Sequence, residues 1–483
     1  MLFQHTVLYF LARGFPGLIN FLALSVYTRL FIPDVYGRYA LALATVSFAS
    51  NVLFQWIQLG LLRFLPQFEY MEARLLSTIL AAYLMMVAFT GCIGAAIYAL
   101  LEPGFWRAIL PLTILLLWVQ AWFEINLQLL SSRLKPMRYG ILAGARAILA
   151  LALGGAFASA GWEARAPLWG LVIGGAAAAL LFSRGAWKSV SYKHFDRGLF
   201  QELARYGFPL GITFVFSFVI STSDRYLIGW LIDEKSVGLY AAAYDLTQFS
   251  LGVLMMIVNL AAYPIIVRAL EHEGIEAARE QIKRQGLLLM SIAAPATAGF
   301  IVLAENISSV LLGTEFRIFA ASIVPWIAGA ALVGGIKAYY FDLAFQLGKS
   351  TKGQLWVVMI ASLVNILLNV AWIPSYGLLG AAWATLAACT VGLLLSAWLG
   401  RLHFKLPHIG HGAKVFAAVA LMVATIWPVH EQKGPMVLLG QVVLGSSCYA
   451  ISLWIFNPGR LRADVMLWMR SVRSRLAKEP SLI

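Results

Sequence analysis

Two charges stand side by side in the apolar run FVISTSDRYLIGW, Phe218–Trp230: Asp224 and Arg225. Consecutive residues on a helix diverge by about 100°. They cannot face each other, so each needs its own partner or water. A carboxylate in such a place can carry a proton or a cation, and a guanidinium offers a planar fork that binds a phosphate through two bonds. Six further charges fall inside apolar segments, the bases Arg13, Arg146 and Lys337 and the acids Glu124, Asp245 and Asp342. Glu305 lies near the outer end of such a segment. A charge at the centre of a bilayer costs at least about 2.5–3.5 kcal/mol on insertion scales. These side chains must therefore meet each other, a ligand or a water-filled space.

Depth narrows the partners. At about 1.5 Å per residue, Asp224, Arg225 and Asp245 share a level roughly 10–12 Å below the outer helix ends, which makes Arg225 with Asp245 a candidate pair. Glu124 and Arg146 share a level nearer the other face. Buried ion pairs that fix helix register are one reading of these residues; ligand sites are the other. Arg13 has no evident acidic partner, and Pro16 three residues on bends its helix and frees a carbonyl. An arginine on a bent helix fits a hydrated cavity that holds an anion. Arg13, Arg225 and Lys337 are thus candidate substrate-binding residues. Asp224, Asp245, Glu124, Arg146 and Asp342 are candidates for ion coupling or buried pairing. No metal or cofactor site is expected.

The elements that must position these groups are membrane spans. The chain has 483 residues, 61% hydrophobic and 12% charged, where soluble proteins are about a quarter charged. Apolar runs of span length recur from end to end. They predict an all-α polytopic membrane protein with fourteen spans near 6–32, 37–60, 74–101, 106–131, 138–160, 166–183, 205–231, 237–266, 285–312, 317–347, 353–374, 377–400, 413–429 and 435–457. The first twelve form the core of this expectation, and the first span reads as an uncleaved helix. Lysine and arginine crowd alternate loops: Arg133, Lys135 and Arg138 in one, Arg184, Lys188, Lys193 and Arg197 in another, Arg279, Lys283 and Arg284 in a third. The positive-inside bias puts both termini in the cytoplasm. The net charge of +14 then reflects loops beside anionic lipid heads, without nucleic acid.

The chain also repeats itself. LARGFP at Leu11–Pro16 answers LARYGFP at Leu203–Pro209, and Gly37-Arg38-Tyr39-Ala40 answers Gly238-Leu239-Tyr240-Ala241. FEINLQL from Phe123 answers FDLAFQL from Phe341, which aligns Glu124 with Asp342, and Gly170 answers Gly380. Four matches in one order predict two parallel six-helix repeats, spans 1–6 in residues 1–200 and spans 7–12 in residues 201–404. Residues 405–483 add two spans and a basic tail. An even number of spans per repeat gives an axis along the membrane normal, with a site where the repeats meet.

Other chemistry is scarce. Cys92, Cys389 and Cys448 lie in apolar runs without metal or redox spacing. His403, His408 and His411 share one loop and read as solvated. Asn306-Ile307-Ser308 matches a glycosylation sequon by chance, inside or beside a span. There is no Walker loop, and no loop is long enough for a catalytic domain.

TSDRYLIGWLIDEKSVGLYAAAYDL from Thr222 resembles the seventh-to-eighth span segment of the polysaccharide transporters, the O-antigen and exopolysaccharide flippases of the MOP exporter superfamily. TRLFIPDVYGRYALA from Thr28, LLGTEFRIFAASIVPWIAGAAL from Leu311 and IPSYGLLGAAWAT from Ile373 fit the same pattern. The resemblance implies two six-helix lobes around a central cavity in a bacterial inner membrane. It implies that an undecaprenyl-pyrophosphate-linked oligosaccharide moves from the cytoplasmic to the periplasmic leaflet, with proton or sodium coupling. Polymerase and glycosyltransferase partners are implied with it. Arg13 and Arg225 become cavity arginines for pyrophosphate or acidic sugars; Asp224 and Asp245 become coupling candidates. The competing readings are a multidrug or cation antiporter of the same superfamily and a membrane-embedded polymerase or ligase. The first should favour acids over arginines, and the second needs a sizeable outer loop that the sequence lacks.

Overall fold

The structure, a computed structural model, describes residues 2–133, 135–188, 190–348 and 350–460; the side chains of residues 1–13 and a few others, and the whole of 461–483, fall outside the description. Among the described residues every regular element is helical. In chain order these are α1 Leu2–Leu30, α2 Pro33–Leu53, α3 Gln55–Phe64, α4 Glu72–Leu100, α5 Phe105–Ser132 and α6 Pro136–Ser159. They are followed by α7 Arg165–Ser183, α8 Arg197–Leu231, α9 Glu234–Thr247, α10 Val253–His272, α11 Ile275–Val302 and α12 Ala304–Leu311. The chain ends with α13 Arg317–Ile336, α14 Leu343–Leu347, α15 Thr351–Gly400, α16 Gly412–Ile426 and α17 Pro435–Phe456. Ten of the described helices or helix runs are long and apolar enough to cross a membrane, or eleven if α2 and α3, bent by 47°, make one span. The protein is a multi-pass membrane protein.

Local sequence explains several boundaries. Pro33, Pro136 and Pro435 start α2, α6 and α17, where a missing N–H costs nothing. Asp196 and Asp233 cap α8 and α9 by accepting from Leu199 N and Ser236 N. Several expected spans are internally broken. Span 8 is α9, a π-helical turn at Gln248–Gly252 and α10; span 10 is α13, a π turn at Lys337–Phe341 and α14; span 9 is divided between α11 and α12. Single π turns inside helices commonly accompany functional positions, and these two follow Asp245 and begin at Lys337.

Spans 11 and 12 run together as the fifty residues of α15, interrupted at Gly377, whose φ of 59° only glycine adopts readily. A straight helix of that length would reach about 75 Å, more than twice the roughly 30 Å hydrocarbon thickness. The chain folds back instead, and Gly380 lies against the Trp372 backbone.

Two compact units emerge. The first comprises Met1–Ser250, Leu312–Ile323 and Leu355–Ala388. Its core gathers Trp56, Ile57, Leu61, Leu75, Leu76, Ile79, Ile109, Leu116 and Ile125. In it, α6 and α7 approach closely because Gly170 and Gly174 face the backbone of Arg146, Ala150 and Gly154, the small-residue packing that membrane helices use in place of a hydrophobic drive. Helices α2 and α9 cross the same way. A Cβ on Gly37 would collide with the Glu234 carbonyl, and one on Gly238 with the Pro33 carbonyl. The second unit comprises Leu251–Leu311, Val324–Gln354 and Cys389–Ile483. Its core centres on Leu251, Met255, Ile266, Ile282, Leu289, Tyr340 and Leu343. There Asn306 of the sequon is fully buried and donates to Gln441. Large apolar side chains such as Leu100, Trp230, Ile318 and Met436 stay exposed, as a lipid-facing surface requires.

Candidate functional site

Asp224 sits on α8 with 1% of its surface exposed. Its carboxylate accepts from Tyr240 Oη, Asn369 Nδ2 and Thr385 Oγ1, each at 2.6 Å. Asn369 and Thr385 lie sixteen positions apart on α15, about 24 Å along a straight helix. They meet at one carboxylate because the chain turns back at Gly377 between them. Asn365, one helical turn before Asn369, accepts from Ser223 Oγ at 3.0 Å. Two amide atoms of this cluster, Asn365 Nδ2 and Asn369 Oδ1, are buried without a hydrogen-bond partner among the described residues.

Among the described residues Asp224 forms no ion pair. Burying an ion costs several kcal/mol, and a hydrogen bond to a charged group returns about 1.5–3 kcal/mol. Three neutral donors therefore hold the carboxylate: the hydroxyls of Tyr240 and Thr385 and the amide nitrogen of Asn369. A buried acid among neutral hydroxyl and amide groups suits a proton or a hard monovalent cation.

Arg225 turns the other way on the same helix. Its Nη2 donates to Asp245 Oδ1 at 2.5 Å, Tyr36 Oη donates to Asp245 Oδ2 at 3.5 Å, and its guanidinium lies 5.7 Å from the Tyr244 ring centroid. The pair is largely buried, with side-chain exposures of 11% and 18%. Arg225 Nε is buried and, among the described residues, has no acceptor. The fork is thus partly used: Nη2 is paired with Asp245, and the Nε–H is unpaired among the described residues.

The remaining candidates separate into two clusters. Glu124 accepts from Gln58 Nε2 at 2.8 Å, from Ser50 Oγ at 3.4 Å, and from Gln120. Arg146 donates to Gln120 Oε1 and stacks 4.4 Å above Phe123. Glu124 and Arg146 therefore share a level without a direct ion pair; Gln120, one turn from Glu124, uses both ends of its amide to bridge them. Lys337 Nζ reaches Asp342 Oδ2 at 2.8 Å across the π turn, and Ser396 donates to Asp342 Oδ1 at 2.6 Å. The charge of Lys337 is thereby compensated within its own segment. Arg13 belongs to α1, and its side chain lies outside the described residues. Glu305, at the start of α12, pairs with Lys433.

Sequence reasoning missed Asn365, Asn369, Thr385 and Gln120 because it weighed charges alone. A signal existed for two of them. Asn365 and Asn369 are polar residues at i, i+4 in an apolar span, which places both on one face.

A helical multi-pass membrane protein with buried acids and an arginine on one bent-span framework is the class defined so far. Residues 2–270 match the family described as polysaccharide biosynthesis protein, and the chain belongs to it. Among curated proteins it is similar to the "Probable low-salt glycan biosynthesis flippase" of Haloferax volcanii, at 24% identity over 180 residues, 37% of each chain. The match thus spans little over a third of that relative's length. Among solved structures it superposes on the lipid II flippase MurJ in an inward closed conformation, with a TM-score of 0.77 at 17% identity, covering 93% of this chain and 99% of that one. A multidrug-resistance MATE transporter of the MOP superfamily gives a TM-score of 0.57 at 15% identity over 82% and 94% of the two chains. The likeness to both structures is one of fold.

Proposed function

We propose that the protein flips a lipid-linked oligosaccharide, carried on undecaprenyl pyrophosphate, from the cytoplasmic to the periplasmic leaflet of a bacterial inner membrane. The observation that carries this reading is the division of labour on α8. Among the described residues Arg225 keeps an unpaired N–H beside a neutralised edge, which suits an anionic pyrophosphate or sugar acid, while Asp224 keeps a carboxylate that no cation balances. In this reading Asp245 is the resting partner of Arg225, and incoming anion competes for the arginine. Asp224, with Tyr240, Asn369 and Thr385, binds the coupling proton or sodium ion. Arg13 joins Arg225 at the anion, and Lys337 contributes once its bond to Asp342 opens.

The architecture proposed with it is fourteen spans, with both termini cytoplasmic and two parallel six-helix repeats at 1–200 and 201–404, one repeat rocking against the other. The contact of Gly37 with Glu234 and of Gly238 with Pro33 supports the repeat. In each helix the contacted carbonyl lies four residues before the contacting glycine, Pro33 before Gly37 and Glu234 before Gly238, as a two-fold relation requires. Polymerase and glycosyltransferases of the same glycan are the proposed partners.

The test is complementation of a strain that lacks its own flippase, with surface glycan read by immunoblot. Arg13→Ala and Arg225→Ala each abolish surface glycan while membrane levels stay normal; normal export by both variants refutes the anion site. Export of a cationic drug is the second reading, favoured by the acids Asp224 and Asp245 and the MATE-like fold. It predicts drug sensitivity and intact surface glycan when Asp224→Asn replaces the native protein.

A further inference from the structure

A cavity of about 410 Å³ lies inside the first compact unit, lined by neither Asp224 nor Arg225. Three stretches of chain build it: the α8–α9 junction, the start of α13 and the bend at Gly377 in α15. Lys235, Ser236, Phe319, Ser322, Tyr376 and Gly377 line it, and aliphatic side chains complete the wall. Small-molecule sites occupy about 300–1,000 Å³ and combine an apolar lining with a few polar groups. In the proposed topology all three stretches face the periplasm, the side on which a transported glycan is released.

The lining is accessible and amphipathic. Tyr376 and Phe319 are 56% and 48% exposed. Trp383, on the returning arm of α15, braces the Tyr376 ring, with the ring centroids 5.3 Å apart. Ser322 Oγ donates to Phe319 O at 2.8 Å, which leaves its lone pairs to accept. Lys235 is exposed, and the two acids before it in sequence are already engaged. Glu234 pairs with Arg38, and Asp233 accepts from Ser236 N at 2.7 Å. Among the described residues Lys235 forms no ion pair. A sugar ring carries C–H bonds on its faces and hydroxyls on its rim. It can stack on an aromatic ring while its rim bonds to serine hydroxyls. A nearby ammonium favours a sugar that bears a carboxylate. A lipid chain would use the apolar wall alone. An interfacial belt sets aromatic rings at the lipid surface; here two of them share one concavity with an amine and two hydroxyls.

We infer that this cavity binds an acidic sugar unit, with Tyr376 and Phe319 against the ring, Ser236 and Ser322 at its hydroxyls and Lys235 at its carboxylate. The choice of occupant rests on the proposed glycan transport. The site itself is a second one, separate from the arginine proposed to meet the pyrophosphate. It gives the glycan a contact on the side of release, against the bend that brings Asn369 and Thr385 to Asp224.

Saturation-transfer NMR of the full chain in phosphatidylcholine nanodiscs, titrated with trigalacturonate and with the neutral maltotriose, tests it directly. The expected result is tighter binding of trigalacturonate. Lys235→Gln weakens it about tenfold, the loss of one charge-assisted hydrogen bond, and abolishes the preference over maltotriose. Tyr376→Ala weakens both sugars. Binding of neither sugar, as when lipid fills the cavity, overturns the proposal, and so does native-like binding by both variants. Equal binding of the two sugars by the native protein overturns the acidic assignment. If Tyr376→Ala misfolds by elution and melting, Phe319→Ala at an exposed position takes its place with the same readings. Complementation separates this site from the transport reading. A native chain that restores surface glycan but binds neither sugar loses the site and keeps the reading. One that binds trigalacturonate through Lys235 and Tyr376 but restores no glycan keeps the site and loses the reading.

Discussion

Gly37 and Gly238 seat their helices on each other reciprocally: the α-carbon of each lies against the carbonyl that opens the other's helix, Glu234 for Gly37 and Pro33 for Gly238. There is no room for a methyl group at either position. Gly37→Ala and Gly238→Ala are each expected to cost about 1–3 kcal/mol through overpacking, read as a lower melting temperature in detergent. Gly155→Ala, where nothing lies within 4 Å, is the matched control and should melt like the native protein. Equal melting of all three variants would remove the close crossing of α2 and α9.

Arg225 and Asp245 should show strong coupling. Removing one member of a buried pair strands the other charge and costs about 3–5 kcal/mol. Arg225→Met and Asp245→Leu are each expected to lower folded yield, and the double variant to recover it, since two apolar side chains strand nothing. Export should stay lost in the double variant. Restored export would reduce the pair to a structural fastening.

Asp224→Asn tests the coupling role. The substitution removes a buried charge held by neutral donors, so the fold should be kept. A ligand that binds only the folded state raises apparent stability with concentration. Sodium is therefore expected to raise the melting temperature of the native protein above that in the same concentration of N-methylglucamine, and to leave Asp224→Asn unmoved. A sodium response that survives in Asp224→Asn moves the ion elsewhere; the absence of any response in the native protein leaves the proton as the coupling ion.

Gly377→Val attacks the turn that lets Asn369 and Thr385 converge. Its φ of 59° is costly for a residue with a side chain, roughly 1–3 kcal/mol, and a β-branched residue is the worst case. The variant should lose export more than folded yield, because Asp224 loses donors from one arm of α15. Gly440→Val, at an open position elsewhere in a membrane helix, should leave both unchanged.

Composition alone made the chain a multi-pass helical membrane protein, because runs of span length with so few charges have no other stable solution. The cost of a charge in hydrocarbon singled out Asp224, Arg225, Asp245, Glu124, Arg146, Lys337 and Asp342 before any geometry was known. Residue depth placed Arg225 level with Asp245, and the two side chains meet; it also placed Glu124 level with Arg146, and there an uncharged amide, Gln120, stands between them. Depth is a one-dimensional coordinate fixed by the rise per residue, and it carries no information on azimuth or on neutral go-betweens.

What only the tertiary structure decided is which neutral groups gather where. Thr385 gives no signal in an apolar stretch, since hydroxyls are cheap enough to occur at many positions, and the i, i+4 spacing of Asn365 and Asn369 gives a shared face but not what that face meets. A turn at one glycine and the facing of α15 toward α8 bring them to Asp224. Charges announce themselves in a membrane sequence by their cost; the partners that make them tolerable are chosen by packing.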